Sequence, residues 1–395
     1  MKRILFVDDE SNVLDGLQRM LRSMRNEWMM DFATSGHLAL KVLSESSFDV
    51  VVSDMRMPGM DGAQLFSEVR RLYPKTVRIV LSGQSDHEMI MKTVGPAHQY
   101  LSKPCDAQEL KETVSRACAL RDLLTDSKLQ LLVAQLTSLP SVPSLYSALM
   151  DEIVSPNTST KRVGEIISQD PGMTAKMLQL INSAFFGLRR HISSPAEATA
   201  LLGLDTVSAL ILTAEIFDQF RHTSLPDSCL NEIWARSSTV AKVARAIARN
   251  AKQGAQSAEQ AFTAGLLHET GRLILAAQLP GRYAQVLSII NNEGTPVCEA
   301  ETRVFGAAHP EVGAYLLGIW GLPDSIVEAV AFYHEPSRCA TRKFNALTQV
   351  HLANYFHNIS IGQAAHALDI PYLAQLGLLD QLGSFEDLYR ELTVG

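Results

Sequence analysis

MKRILFVDDE at residues 1–10 and DVVVSDMRMPGMDG at 49–62 decide how the first third of the chain folds. Each holds a short run of aliphatic, often β-branched residues that stops abruptly at aspartate. Arg3 to Val7 ends in Asp8 and Asp9, and Asp49 to Ser53 ends in Asp54. Arg78 to Leu81 and Gln99 to Ser102 repeat the pattern, stopping at Ser82 and at Lys103-Pro104. Short apolar runs of this kind read as strands, and the amphipathic stretches between them have helical length. Alternating β and α units imply a parallel sheet with helices on both faces. In open sheets of this type the ligand site lies beyond the carboxyl ends of the strands, so these polar residues are expected to converge.

Carboxylates brought together in this way repel. Two unit charges about 4 Å apart cost roughly 4 kcal/mol at an effective dielectric near 20. A divalent cation removes that penalty, and magnesium, which takes one or two carboxylates, phosphate oxygens and several waters, suits the set. Asp8 and Asp9 are then metal ligands, and the backbone carbonyl of Arg56 completes the shell. Asp54, alone before the loop Met55 to Gly62, is placed to attack phosphorus as a carboxylate nucleophile and to become an aspartyl phosphate. Lys103 would pair with the phosphoryl oxygens and the Ser82 hydroxyl would hydrogen-bond another. Singly, an aspartate at a strand end is usually a turn or cap residue. The joint pattern outweighs that reading.

These residues give residues 1 to about 120 a specific resemblance to response-regulator receiver domains. The resemblance implies a flavodoxin-like, doubly wound, five-stranded parallel sheet. It also implies that Asp8 and Asp9 are the acidic pair, Asp54 the phosphoacceptor, Ser82 the switch hydroxyl, Tyr100 the switch aromatic and Lys103 the lysine. Pro104 matches a proline whose peptide bond is usually cis in that family, and Met57 to Gly62 resembles its turn before the third helix.

At 395 residues the chain should hold two or three folding units. A net charge of −7 disfavours non-specific nucleic-acid or membrane-surface binding, so a DNA-reading output is not favoured. Five scattered cysteines without CxxC spacing point to reduced thiols and a cytoplasmic setting. MKRILFVDDE does not read as a signal peptide, and no apolar run approaches a membrane span. From Asp106 to Thr137 the pattern is helical almost without interruption, and residues 121–138 are taken as a helical linker. Self-pairing of that helix into a homodimer is one reading of it, and packing on its own domains is the preferred one. Leu139-Pro140-Ser141-Val142-Pro143 stops the helix.

Beyond Pro143 the apolar spacing is three and four, which predicts an all-α domain over 139–395 with its core at about 139–340. LPSVP at 139–143, SQDPGMTAKMLQLINSAFFG at 168–187, GLLHETGRLIL at 265–275, HPEVGAYLLGIWGLP at 309–323 and YHEP at 333–336 resemble the HDOD domain. That domain is a degenerate relative of HD-type metal phosphohydrolases. Asp170-Pro171 reads as a helix cap followed by proline at the first helical position.

An HD-type hydrolase needs histidines and carboxylates from several helices around its metal. His268, His309 and His334 fall where the family places ligands. Glu269, however, replaces the aspartate of the HD pair, a serine at 237 or 238 stands where the first histidine is expected, Tyr333 replaces another, and Asn354 replaces the closing aspartate. His268, Glu269, His309 and His334 are therefore read as remnants without function. Histidines hydrogen-bonded to neighbouring carboxylates are preferred over a metal site, and a single weakly held zinc or nickel is the other reading. Lys242, Arg245, Arg249 and Lys252 form the basic face of an amphipathic helix, read first as a solvated face.

The resulting expectation is a cytoplasmic response regulator, not an enzyme. A sensor histidine kinase or phosphotransfer protein phosphorylates Asp54 with Mg2+, and the HDOD half relays the state to a downstream protein partner. The alternative is a receiver-controlled, metal-dependent phosphohydrolase acting on a cyclic dinucleotide or nucleotide.

Overall fold

The structure is a computed structural model of the 395-residue chain. It describes every residue except 83–96, 104, 122–123, 125, 137–138, 156, 183–190, 214–217, 220–226, 363–366 and 394–395. The chain divides into two compact units. One is Met1–Thr137 with Gln179–His191 and Gly318–Gly321, and the other is the remainder.

The first unit is the expected parallel sheet. Strands β1 (Lys2–Val7), β2 (Trp28–Ala33), β3 (Val50–Asp54), β4 (Val77–Ser82) and β5 (Gln99–Ser102) lie in the order β2-β1-β3-β4-β5, every pair parallel. Helices α1 (Ser11–Met20), α2 (Gly36–Glu45) and α3 (Gly62–Leu72) connect the first strands. The β1 residues Ile4 to Val7 and all of β3 are buried, as near-continuous aliphatic runs are when both faces of a sheet are covered.

Register aligns the strand ends. Val7 lies opposite Ser53, Asp54 opposite Leu81, and Ser82 opposite Ser102, so Asp8, Asp54, Ser82 and Lys103 leave the sheet at the same edge. The loop after Asp54 is pinned at Gly62, where a Cβ would stand 2.5 Å from the Asp54 carbonyl oxygen. A reciprocal cap then starts α3: Gln64 N donates to Asp61 Oδ1 at 2.8 Å, and Asp61 N donates to Gln64 Oε1 at 3.1 Å.

The helical stretch after Asp106 is two helices, α4 (Ala107–Arg121) and α5 (Ser127–Gln135), which corrects the near-continuous helix read from the spacing. Asp126 makes the break. Its Oδ1 accepts from Lys128 N at 2.9 Å and Leu129 N at 2.8 Å, taking over donors that a continuous helix would have paired with carbonyls. The carboxyl end of α5 docks on cationic and imidazole donors. Arg78 Nη2 and His98 Nε2 lie 3.3 and 2.9 Å from the Ala134 carbonyl, and Arg70 donates to Gln135 at 3.3 Å. Burial, assisted by the Arg78 charge, holds His98 well below the ordinary imidazole range. Its Nδ1 accepts from Arg78 N at 3.2 Å, and its Nε2 lies 2.7 Å from Arg78 Nη2 and 2.9 Å from the Ala134 carbonyl. Helix-terminal carbonyls that would otherwise be buried without partners are thereby satisfied.

Among its described residues the second unit is helical apart from one parallel pair of two-residue strands, β6 (Pro140–Ser141) with β7 (Asp218–Gln219). Its helices begin with α6 (Pro143–Val154), α7 (Thr160–Ile167), α8 (Pro171–Ile181), α9 (Pro195–Leu202) and α10 (Leu204–Thr213). Then come α11 (Asp227–Asn250), α12 (Ala255–Leu267), α13 (Thr270–Gln278), α14 (Pro280–Glu293) and α15 (Val297–Phe305). The chain closes with α16 (His309–Ile319), α17 (Asp324–Phe332), α18 (Ala346–Ser360), α19 (Ile370–Gln375) and α20 (Leu382–Thr393). Its centre is α11, α12, α17 and α18, packed on one another.

Asp170 caps α8 as its sequence suggests. Oδ1 accepts from Met173 N at 2.7 Å, and Oδ2 accepts from Val142 N at 2.5 Å, which ties the LPSVP turn to this helix start. Burial pushes the Asp170 carboxyl up to about 6 despite these donors. Gly271 is a contact of backbone on backbone, since a Cβ there would lie 1.9 Å from the His309 carbonyl oxygen. On the basic face of α11, Arg245 and Arg249 reach Glu259 at 3.8 and 3.5 Å, and the Arg245 guanidinium lies 4.3 Å above the Phe262 ring. Among the described residues no single helix is long and apolar enough to cross a membrane.

Candidate functional site

At the carboxyl edge of the sheet three of the candidate side chains meet. Lys103 Nζ donates to Asp8 Oδ2 at 2.7 Å and forms an ion pair with Asp54 Oδ1. The second oxygen of Asp54 accepts from Arg56 N at 2.9 Å, and Asp8 Oδ1 accepts from Glu10 N at 3.0 Å. Asp8 and Asp54 are buried, whereas a third of the Lys103 side chain remains exposed, at 30%. Desolvation is the largest influence on Asp54 and raises its carboxyl above the ordinary range; Lys103 pulls it back, and the Asp8 charge pushes it up again. Burial pushes Lys103 down, but hydrogen bonds to Asp54 and Asp8 outweigh it and raise the ammonium.

Asp9 is exposed beside this cluster rather than within the ion-paired group. Ser82 ends β4 and Tyr100 lies in β5 opposite Val80, while the side chains of both and all of Pro104 lie outside the described residues. Two carboxylates facing one ammonium, with a third carboxylate on the rim and the Arg56 carbonyl nearby in sequence, form an all-oxygen donor set of the hard type magnesium takes.

The helical unit holds a second cluster of very different character. Glu269, 2% exposed, lies between two guanidinium groups: Arg236 Nε is 3.1 Å from Oε1, and Arg272 Nη1 is 2.9 Å from Oε2. Arg236 also donates to Asn354 Oδ1 at 2.7 Å and to Asn358. Burial would raise the Glu269 carboxyl, but Arg272 and then Arg236 hold it well below the usual range. His268 is fully buried, with Nδ1 2.6 Å from the Gly265 carbonyl and Nε2 3.5 Å from Glu269. Burial pushes it down to about 3, so it is neutral.

Arg236 was not singled out from sequence. It occupies the stretch where a first histidine is missing, next to the buried Ser237, and it spans from Glu269 to Asn354. The signal available was only a lone arginine on the apolar side of α11. His309 joins a separate group. Its Nδ1 is 2.6 Å from Glu301 Oε2, and its Nε2 is 2.5 Å from the Tyr333 hydroxyl and 3.4 Å from His334 Nε2. Burial opposes protonation of His309, but the Glu301 carboxylate prevails and raises the imidazole well above its usual range.

Comparison with known proteins agrees with this division. Residues 139–336 match the HDOD domain and residues 4–115 match the response regulator receiver domain. An uncharacterized protein of Treponema pallidum is 24% identical over 230 residues, covering 57% of this chain and 44% of its own length. The hydrogenase transcriptional regulatory protein HoxA of Cupriavidus necator is 36% identical over 125 residues, 31% of this chain and 25% of that protein. The chain thus spans less than half the length of either curated relative. Among solved structures, the MmoQ response regulator from Methylococcus capsulatus is 25% identical with a TM-score of 0.48, over 63% of this chain and 98% of that one. The receiver domain of an HD domain-containing protein from Pseudomonas fluorescens is 33% identical with a TM-score of 0.29, over 31% and 97%. The chain belongs to the HDOD family and is a response regulator in which a receiver domain precedes the HDOD domain.

Proposed function

We propose that the receiver accepts a phosphoryl group on Asp54 from a partner histidine kinase or phosphotransfer protein in the cytoplasm. We propose further that the HDOD half transmits this state through protein contacts without chemistry of its own. The observation that carries the first part is the single ammonium of Lys103 shared by Asp8 and Asp54. An Asp54 oxygen attacks phosphorus in line with the leaving group, and Lys103 turns from the carboxylate to the phosphoryl oxygens, where charge is highest. The Ser82 hydroxyl donates to another phosphoryl oxygen. Magnesium held by Asp8, Asp9, Asp54 and the Arg56 carbonyl would supply Lewis-acid polarisation and neutralise the crowded charge.

Once Ser82 and Tyr100 follow the phosphate, the β4–β5 edge and α4 shift together, and α5 follows through its bonds to Arg78 and His98. Acetyl phosphate with magnesium should label the wild-type chain and leave Asp54→Asn unlabelled. Equal labelling of both would refute the assignment.

Support for a non-catalytic HDOD half comes from Glu269. Its two oxygens already face two guanidinium groups, and a metal there would have to displace a buried cation. A buried pair broken on one side costs about 3–5 kcal/mol, which opposes such displacement. Incubation of the full chain with manganese and a cyclic dinucleotide is expected to show no turnover above the His268→Ala background. Turnover that depends on His268 would establish the hydrolase reading instead.

A further inference from the structure

We propose that Cys298, His309 and His334 form a binding site for a soft or borderline transition ion of the zinc class, separate from the Glu269 cluster and independent of phosphorylation at Asp54. Cys298 is the second residue of α15, His309 opens α16 and His334 follows α17, so three helix ends deliver the three side chains. One ligand atom from each lies within 4.8 Å of the other two. His309 Nε2 and His334 Nε2 face each other at 3.4 Å. Zinc–nitrogen bonds of about 2.0–2.1 Å at a tetrahedral angle place two ligand nitrogens about 3.3 Å apart, a spacing this pair already has. Cys298 Sγ lies 4.0 Å from His309 Nδ1 and within 4.8 Å of a ring nitrogen of His334.

The surroundings fit a ligand role. Glu301 is fully buried and accepts at Oε2 from His309 N at 2.8 Å while holding His309 Nδ1 at 2.6 Å. Metal-ligating histidines are oriented in this way by a carboxylate on the far nitrogen, which leaves Nε2 to the ion. Glu301 Oε1 has no hydrogen-bond partner among the described residues. A cavity of about 420 Å³, lined by Cys298, Glu299, Glu311, His334 and neighbours, gives access. Thiolate with two imidazoles selects zinc, cobalt or copper(I) over the hard magnesium that suits the receiver. On binding, the thiol proton and any Nε2 proton leave to solvent, and the Tyr333 hydroxyl now on His309 Nε2 gives way.

The test uses the full chain, stripped with chelator under reducing conditions and titrated with Co2+. The expected result is one cobalt per chain with a thiolate-to-cobalt charge-transfer band in the near ultraviolet, both displaced by Zn2+. Cys298→Ser should abolish the band, and His334→Ala should weaken binding in a chain whose other contacts stay in place. Glu301→Gln should weaken it by about 10 to 100-fold. Cys339→Ser, His268→Ala and Tyr333→Phe should keep the band. Absence of stoichiometric cobalt, a band that survives Cys298→Ser, unchanged affinity in His334→Ala, or binding lost on His268→Ala would each overturn the proposal.

Discussion

The receiver and the HDOD half each bury an acidic side chain beside cations, but they resolve the charge in opposite ways. Around Asp54 the cation is a lysine that is 30% exposed and shared by two carboxylates, so one positive charge faces two negative ones. Around Glu269 two guanidinium groups, 8% and 12% exposed, face one carboxylate, and Asn354 takes a further arginine donor. The first cluster is short of positive charge and open to solvent. The second is closed and has positive charge in excess. An under-compensated acid beside a partly exposed lysine can gain a metal and a phosphoryl group, whereas an over-compensated acid between two buried guanidinium groups gains nothing by binding either.

That contrast can be broken most sharply at Glu269. Glu269→Gln leaves Arg236 and Arg272 buried without their counter-ion and should destabilise the helical unit by about 3–5 kcal/mol in denaturant unfolding. A cost near that of an exposed ion pair, below about 1 kcal/mol, would mean the cluster is wetter than described. Gly271→Ala forces a Cβ against the His309 carbonyl and should cost about 1–3 kcal/mol in the same unit. Magnesium sharpens the comparison from the other side. At ten times its dissociation constant it should stabilise the receiver by about 1.4 kcal/mol, and Asp54→Asn should lose most of that gain.

Asp126→Ala removes the cap that starts α5 and should cost about 1 kcal/mol, read as faster amide exchange in 127–135. The smallest effect follows from the titration of Asp54 itself. Its folded-state value is raised above 3.8, so its contribution to stability is full below that value and is lost as pH rises through the folded-state value. Asp54→Asn, which cannot ionise, should therefore melt slightly higher than wild type at neutral pH without magnesium. The difference should vanish in acid.

Much of this architecture is legible in the chain. Strands β1, β3 and β4 announce themselves because each is a largely apolar run with a polar residue at its end, β5 (QYLS) is marked by the Lys103-Pro104 that follows it, and the parallel register turns those ends into one edge. The edge strand β2 (Trp28–Ala33) was not singled out. WMMDFA has one exposed flank, with Met29 49% accessible, so its apolar residues do not form a continuous run. The break at Asp126 was missed because nothing near it is glycine or proline, and its capping role depends on side-chain geometry. Arg236 was hidden for a different reason. Its partners Glu269, Asn354 and Asn358 are distant in sequence, and an arginine on a long amphipathic helix ordinarily reaches solvent. Cys298 likewise gains meaning only when folding brings two histidines to it. Asp8, Asp54 and Lys103 were readable because their spacing relative to strand ends is itself the geometry.

Borohydride reduction of the chain after treatment with acetyl phosphate and magnesium converts an aspartyl phosphate to homoserine, and peptide sequencing then locates it. Homoserine is expected at position 54 and at no other carboxylate. Homoserine at position 8 or 9, or none anywhere under conditions that phosphorylate a control receiver, would contradict it.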